Sequence, residues 1–174
     1  MDSSLMPDHE TVGVDRWLDP ESGVSSVAVS GEPALLDELA RDLRMRDLVV
    51  RTVRGSHMQT TAQVFDEFAA AFQFPSHFGR NKDAFDDVMR DLDDVLGLGA
   101  GFVVLVREAE LLLRGEPDQL PWFRESMDFY AEEWAPTTFG TAYQFGSGSE
   151  ETFASELTVL RYPETAHTQT THTL

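Results

Sequence analysis

No cysteine occurs anywhere in the 174 residues, so neither a disulfide framework nor a thiolate metal site is available. That suits a reducing cytoplasm. Basic residues are scarce as well: 13 Lys and Arg stand against 31 Asp and Glu, a formal net charge of -18. Such a chain is repelled at long range by nucleic acid phosphates and by anionic membrane surfaces, and its electrostatic counterpart is a basic protein. No apolar run approaches the length that crosses a bilayer. The opening residues, MDSSLMPDHE, carry neither the basic nor the apolar stretch of a secretory signal. The expected location is cytoplasmic.

What is present is enough apolar material for one core: 41% of the residues are hydrophobic, with Phe, Leu and Val spread through the middle of the chain. The length suits one domain. Residues 1–22 are polar and aperiodic and read as a loose lead-in, with Trp17 and Leu18 available to dock. Residues 23–162 are expected to form a single α/β domain. The Thr- and His-rich residues 163–174 are expected to be a disordered tail.

Periodicity supplies the elements. Val24, Val27 and Val29 predict a strand, and Leu35, Leu36, Leu39 and Leu43 a helix, making one βα unit. A second unit follows, with Leu48, Val49, Val50 and Val53 as strand, a turn around Gly55, and Val64, Phe65, Phe68 and Phe72 on a helical face that stops before Pro75. A loop then leads to a helix capped by Asn81 and ended by Gly97 and Gly99. The continuous apolar run from Phe102 to Val106 has the pattern of a strand buried on both faces of a parallel sheet. Helical stretches are expected from Ala109 to Arg114 and from Trp122 to Trp134. Residues 135–155, with Pro136, Gly140, Gly146 and Gly148, read as a long loop, before Leu157, Val159 and Leu160 supply a last strand. Strands separated by helices need crossovers, so the fold class is α/β, a small, mostly parallel sheet flanked by helices.

One segment concentrates the charge. Between Asp83 and Asp94 stand six aspartates, with Arg90 the only base among them. Drawn as one helix, Phe85, Val88, Met89, Leu92 and Leu96 form an inward stripe, and Asp83, Asp87, Asp91 and Asp94 an outward one. Acids four residues apart weaken an isolated helix by a few tenths of a kcal/mol, roughly, per pair. The helix dipole favours an anion in the first turn and so accounts for Asp83; Asp87 and Asp91 lie beyond its reach. A charged face that is merely solvated is the plainer reading of such a pattern.

Residues 75–87, PSHFGRNKDAFDD, resemble the barstar family, in which a proline, an aromatic pair, a glycine, an asparagine and a D-A-x-x-D helix start form the surface that plugs a ribonuclease active site. The resemblance covers roughly 48–162, leaving the first βα unit as an N-terminal addition. It implies an inhibitor of the immunity or antitoxin type, without catalysis, cofactor or metal, that places carboxylates where a basic ribonuclease binds phosphates. Carried over residue by residue, Asp87 matches the family's central carboxylate, Asp83 the second, and Gly79 and Asn81 the loop that delivers them. The partner-binding set is His77, Phe78, Gly79, Arg80, Asn81, Asp83, Asp86 and Asp87, with Glu132 and Glu133 as further candidates.

Three departures from the pattern involve four positions. His77 stands where the family commonly has tyrosine, Arg80 and Lys82 put positive charge in the loop, and Asp86 replaces an aromatic residue. These departures favour an alternative, a barstar-like interaction module whose basic partner is not a ribonuclease.

Enzyme readings fare worse. GLGAG at 97–101 precedes a strand, whereas a dinucleotide loop follows one and opens a helix. Asp91, Asp93 and Asp94 diverge on a helix and lack a convergent second cluster for Mg²⁺. His77 has no serine or cysteine nucleophile in a recognisable motif, so an interface histidine with a pH-dependent effect on binding is the economical assignment. His57 reads as a turn residue, and Trp122 and Trp134 as core.

Overall fold

The computed structural model describes residues 10–97, 99–147 and 152–163. In chain order the elements are β1 (Thr11–Val12), α1 (Val14–Leu18), β2 (Ser26–Ser30), α2 (Ala34–Met45), β3 (Leu48–Arg54), α3 (Thr61–Phe72), α4 (Lys82–Arg90), α5 (Leu92–Leu96), β4 (Gly101–Arg107), α6 (Leu120–Trp134), β5 (Thr138–Phe145), α7 (Thr152–Ser155) and β6 (Thr158–Leu160). The strands form one sheet in the order β1-β6-β2-β5-β4-β3, and every neighbouring pair is parallel. The expected α/β class holds, with the sheet wholly rather than mostly parallel.

Handedness explains the layers. From β2 to β3 the chain crosses the sheet in one direction, and from β3 through β4 and β5 to β6 it returns in the other. Right-handed crossovers therefore put α2 on one face and α3, α4, α6 and α7 on the opposite face. The strand β4 feeds both: Phe102, Val104 and Val106 join Phe65, Phe68, Phe85, Phe123 and Tyr130 on one side, while Val103 and Leu105 join Leu36, Leu39 and Leu43 of α2 on the other. Six consecutive residues of β4, Gly101 to Val106, are buried, because parallel strands covered twice have no wet face.

Four expectations change. Residues 135–155 are not one long loop: they contain β5, which lies between β2 and β4. Gly140 suggested a break, but a Cβ there would lie 3.1 Å from Trp17 Nε1, so the glycine answers to the indole packed on it. Residues 11–18, expected in the loose lead-in, form β1 and α1, with Trp17 only 2% exposed and its indole N–H donating to Ser25 O (3.1 Å). Ala109 to Arg114 is a single 3₁₀ turn, Ala109–Leu111, not a longer helix. The acidic helix is two: α4 ends at Asp91, whose φ of -119° and ψ of 33° leave the helical region, and α5 restarts at Leu92. Aspartate is a weak helix former and the like charges oppose continuation. Gly97 ends α5 as expected. The tail expected to be disordered lies, from residue 164, outside the described residues.

Candidate functional site: the acidic helix and its loop

The helix that carries the carboxylates is set from below. α3 starts in a capping box, with Thr60 Oγ1 accepting from Gln63 N–H and the Gln63 side chain accepting from Thr60 N–H. It ends at Gln73 in the left-handed region (φ 55°). The chain then turns at Pro75, where Phe78 N–H donates to Pro75 O (2.9 Å). Phe78 is drawn inward: its ring lies 5.0 Å from Phe74 and 6.1 Å from Phe65, centroid to centroid. It therefore pins the loop to the core, leaving His77 on the surface.

Past that anchor the loop tightens. Asn81 Nδ2 donates to Gly79 O (3.2 Å), and Asn81 Oδ1 accepts from Ala84 N–H (2.9 Å), capping α4. A Cβ on Gly79 would stand 3.1 Å from the Asn81 amide, so the turn leaves little room for a side chain. Arg80 is left-handed (φ 52°). Its guanidinium turns towards α3 and pairs with Asp66 at 2.5 Å. Lys82 also turns aside, donating to Gln119 Oε1 (2.6 Å) and lying 4.4 Å above the Trp122 ring. Both loop cations are thus engaged away from the outward row of α4.

On α4 itself, Phe85 and Met89 are fully buried at 0% exposure, and Asp83 and Asp87 are exposed one turn apart. Among the described residues neither carboxylate enters an ion pair. Asp91 continues the exposed row at the break. Asp86 behaves differently: it is partly buried and accepts a hydrogen bond from Tyr130 Oη of α6. Burial, then the Asp86 carboxylate, push the Tyr130 hydroxyl well above its ordinary pKa, so it stays a donor.

Two contacts hold α6 beside α4: Arg90 Nη2 pairs with Glu133 Oε2 at 2.9 Å, and Trp134 Nε1 donates to Met89 O at 2.9 Å. A shallow depression is lined by Asp87, Arg90, Asp91, Glu133 and Trp134. Glu133 therefore lies next to the acidic row, while Glu132 lines a different hollow, with Trp17 and Ser26. Sequence reasoning did not find Tyr130 as the partner of Asp86 or Arg90 as the partner of Glu133. Each pair joins helices more than forty positions apart, and periodicity reports only that each helix has an inner face. Among the described residues, no group of three or more His, Asp or Glu side chains could hold a metal ion, and no helix is long and apolar enough to cross a membrane.

The fold and this surface define an acidic α/β domain that offers exposed carboxylates on a fixed helix, a chemistry complementary to a basic protein. Residues 48–146 match the model of the Barstar (barnase inhibitor) family, so the chain belongs to that family. The match begins at β3 and ends just after β5, short of the 48–162 span expected from the motif. It contains the whole loop and α4, bearing out the resemblance drawn on residues 75–87. No curated protein matches the chain.

Proposed function

We propose that this protein is a non-catalytic, cytoplasmic ribonuclease inhibitor of the immunity type, which blocks a basic active site with α4 and the loop before it. The observation that carries the reading is the pair Asp83 and Asp87, exposed on a helix whose other side is locked by Phe85 and Met89, with no ion pair of their own among the described residues. Carboxylates held in this way are ready to meet the Arg, Lys and His groups that position RNA phosphates, without first losing a partner. His77, Gly79, Arg80 and Asn81 form the rim of the contact. Phe78 and Asp86 act from behind, one seating the loop and the other tying α4 to α6.

Two of the three departures from the family motif, the loop cations and Asp86, weigh less in three dimensions than in sequence. The Arg80 charge is compensated by Asp66 and the Lys82 charge is directed to Gln119 and Trp122. Asp86, in the position of an aromatic residue, has an internal partner in Tyr130. Their arrangement lowers the electrostatic objection to a phosphate-binding cleft.

The test is cleavage of a fluorogenic RNA by a panel of small basic ribonucleases, with wild type and Asp83→Ala/Asp87→Ala as inhibitors. Wild type is expected to inhibit at least one ribonuclease stoichiometrically. The double variant is expected to bind about a hundredfold more weakly or worse, since each charge-assisted hydrogen bond contributes about 1.5–3 kcal/mol. Equal inhibition by both would move the contact off α4. No inhibition across the panel would end the ribonuclease reading and leave a different basic protein as the partner.

A further inference from the structure

The sheet has one long edge without a neighbour, β3, and its surroundings run against the charge of the molecule. Residues 41–54 hold five arginines against two aspartates in a chain whose net charge is -18. Arg46 pairs with Asp15 and Arg54 with Glu67. Arg41, Arg44 and Arg51 enter no ion pair among the described residues. Beside the edge, between α2 and β3, runs a groove of about 510 Å³ lined by Asp37, Ala40, Arg41, Arg44, Met45 and Thr52. Met45 is 82% exposed, one of two large hydrophobic side chains exposed among the described residues.

The backbone of the edge is readable from its two side-chain partners. Arg54 N–H donates outward to Glu67 Oε1 (3.1 Å), and Val50 O accepts outward from Arg51 Nη1 (3.1 Å). A strand turns alternate residues to the same side, so Val50, Thr52 and Arg54 face away from β4. Glu67 closes the Arg54 end. At Val50 and Thr52 the edge is open apart from the Arg51 side chain, which an incoming strand would displace from Val50 O.

We propose that this edge takes an extended acidic protein segment, added as a further strand beside β3. Its main chain would pair with Val50 and Thr52, and the carboxylates on its α2-facing side would lie on Arg41 and Arg44. The surface lies on the α2 side of the sheet, opposite α4, so it goes beyond the proposed inhibition and does not depend on it. Arginines can also guard an edge against pairing. A guard predicts no binding of an acidic strand, and that is what the experiment separates.

The probe is a blocked, fluorescently labelled eight-residue peptide in which glutamate alternates with valine and threonine, compared with its lysine counterpart by fluorescence anisotropy. Saturable binding of the glutamate peptide alone is expected, with Arg41→Glu/Arg44→Glu weakening it about tenfold or more. Hydrogen exchange at the Thr52 amide is expected to slow when the peptide is present, and Thr52→Pro, which removes an outward N–H, is expected to abolish binding. The Asp83→Ala/Asp87→Ala protein is expected to bind the peptide as wild type does, whether or not either protein inhibits a ribonuclease. Absence of saturable binding, equal binding of the lysine peptide, or binding without protection of Thr52 would each overturn the proposal. The arginine pair and the exchange measurement decide the matter even where Thr52→Pro fails to fold.

Discussion

The two faces of the sheet are packed with different materials. Under α3, α4 and α6 lies an aromatic layer in which Phe68 meets Phe72, Phe85 and Phe123 at centroid distances of 5.1, 5.1 and 5.8 Å. Under α2 the layer is aliphatic, built of Val, Leu and two Ala, with Trp17 the only aromatic residue among its described buried members. Rings have preferred stacked and edge-to-face arrangements and so fix orientation, whereas aliphatic side chains mostly fix separation. The face that bears the acidic row has the orienting layer. The covering face, built largely from residues outside the family match, has the other.

That contrast can be broken at one residue in each layer. Phe85→Ala, at a position with 0% exposure, is expected to lose about 3–5 kcal/mol in denaturant unfolding and also to weaken inhibition beyond the loss of folded protein, because α4 loses its anchor. Leu39→Ala, also at 0%, is expected to lose about 2–5 kcal/mol while the molecules that remain folded keep the wild-type inhibition constant. A shared drop in inhibition would show that the layers are not functionally distinct.

Acid sharpens the comparison. Glu67, buried in α3, is pushed up by its burial, but hydrogen bonds from the Arg54 side chain and backbone outweigh this and hold its carboxyl below the ordinary value. The stability it contributes is thus fully present above about pH 4.3 and is lost as pH falls through the lowered folded value. Glu67→Gln is expected to destabilise by about 1–3 kcal/mol at neutral pH and to flatten the acid limb of a thermal unfolding profile. An unchanged limb would assign the acid sensitivity elsewhere. The smallest effect is expected for Tyr130→Phe, about 1 kcal/mol, since water can reach the partly buried Asp86 that loses its donor. The variant is expected to raise the dissociation rate of an inhibited ribonuclease more than it lowers stability, by loosening α4 against α6.

Much of this was legible from local pattern. The β2–α2 and β3–α3 units, the doubly buried β4 and the Asn81 cap each follow from signals a few residues long. What escaped depends on distance along the chain. β5 was hidden because Pro136 and Gly140 look like breakers, and only Trp17, more than a hundred residues earlier, explains why a glycine is needed there. The row of carboxylates was visible, but not the break at Asp91, where helix propensity, charge repulsion and the burial of Leu92 compete. Nor could composition tell an engaged carboxylate from a free one: Asp86 and Asp87 are adjacent letters, yet one accepts from Tyr130 and the other faces solvent.

The place of β6 has a consequence for the order in which the molecule can be completed. It lies between β1 and β2, and the strand partner of β1 is β6 itself. Synthesis delivers residues 11–12 well before residues 158–160, so the first strand waits for its neighbour until all the elements between them have been made. The site-bearing elements between β3 and β5 pair in sequence as they emerge, and the opposite margin of the sheet closes last.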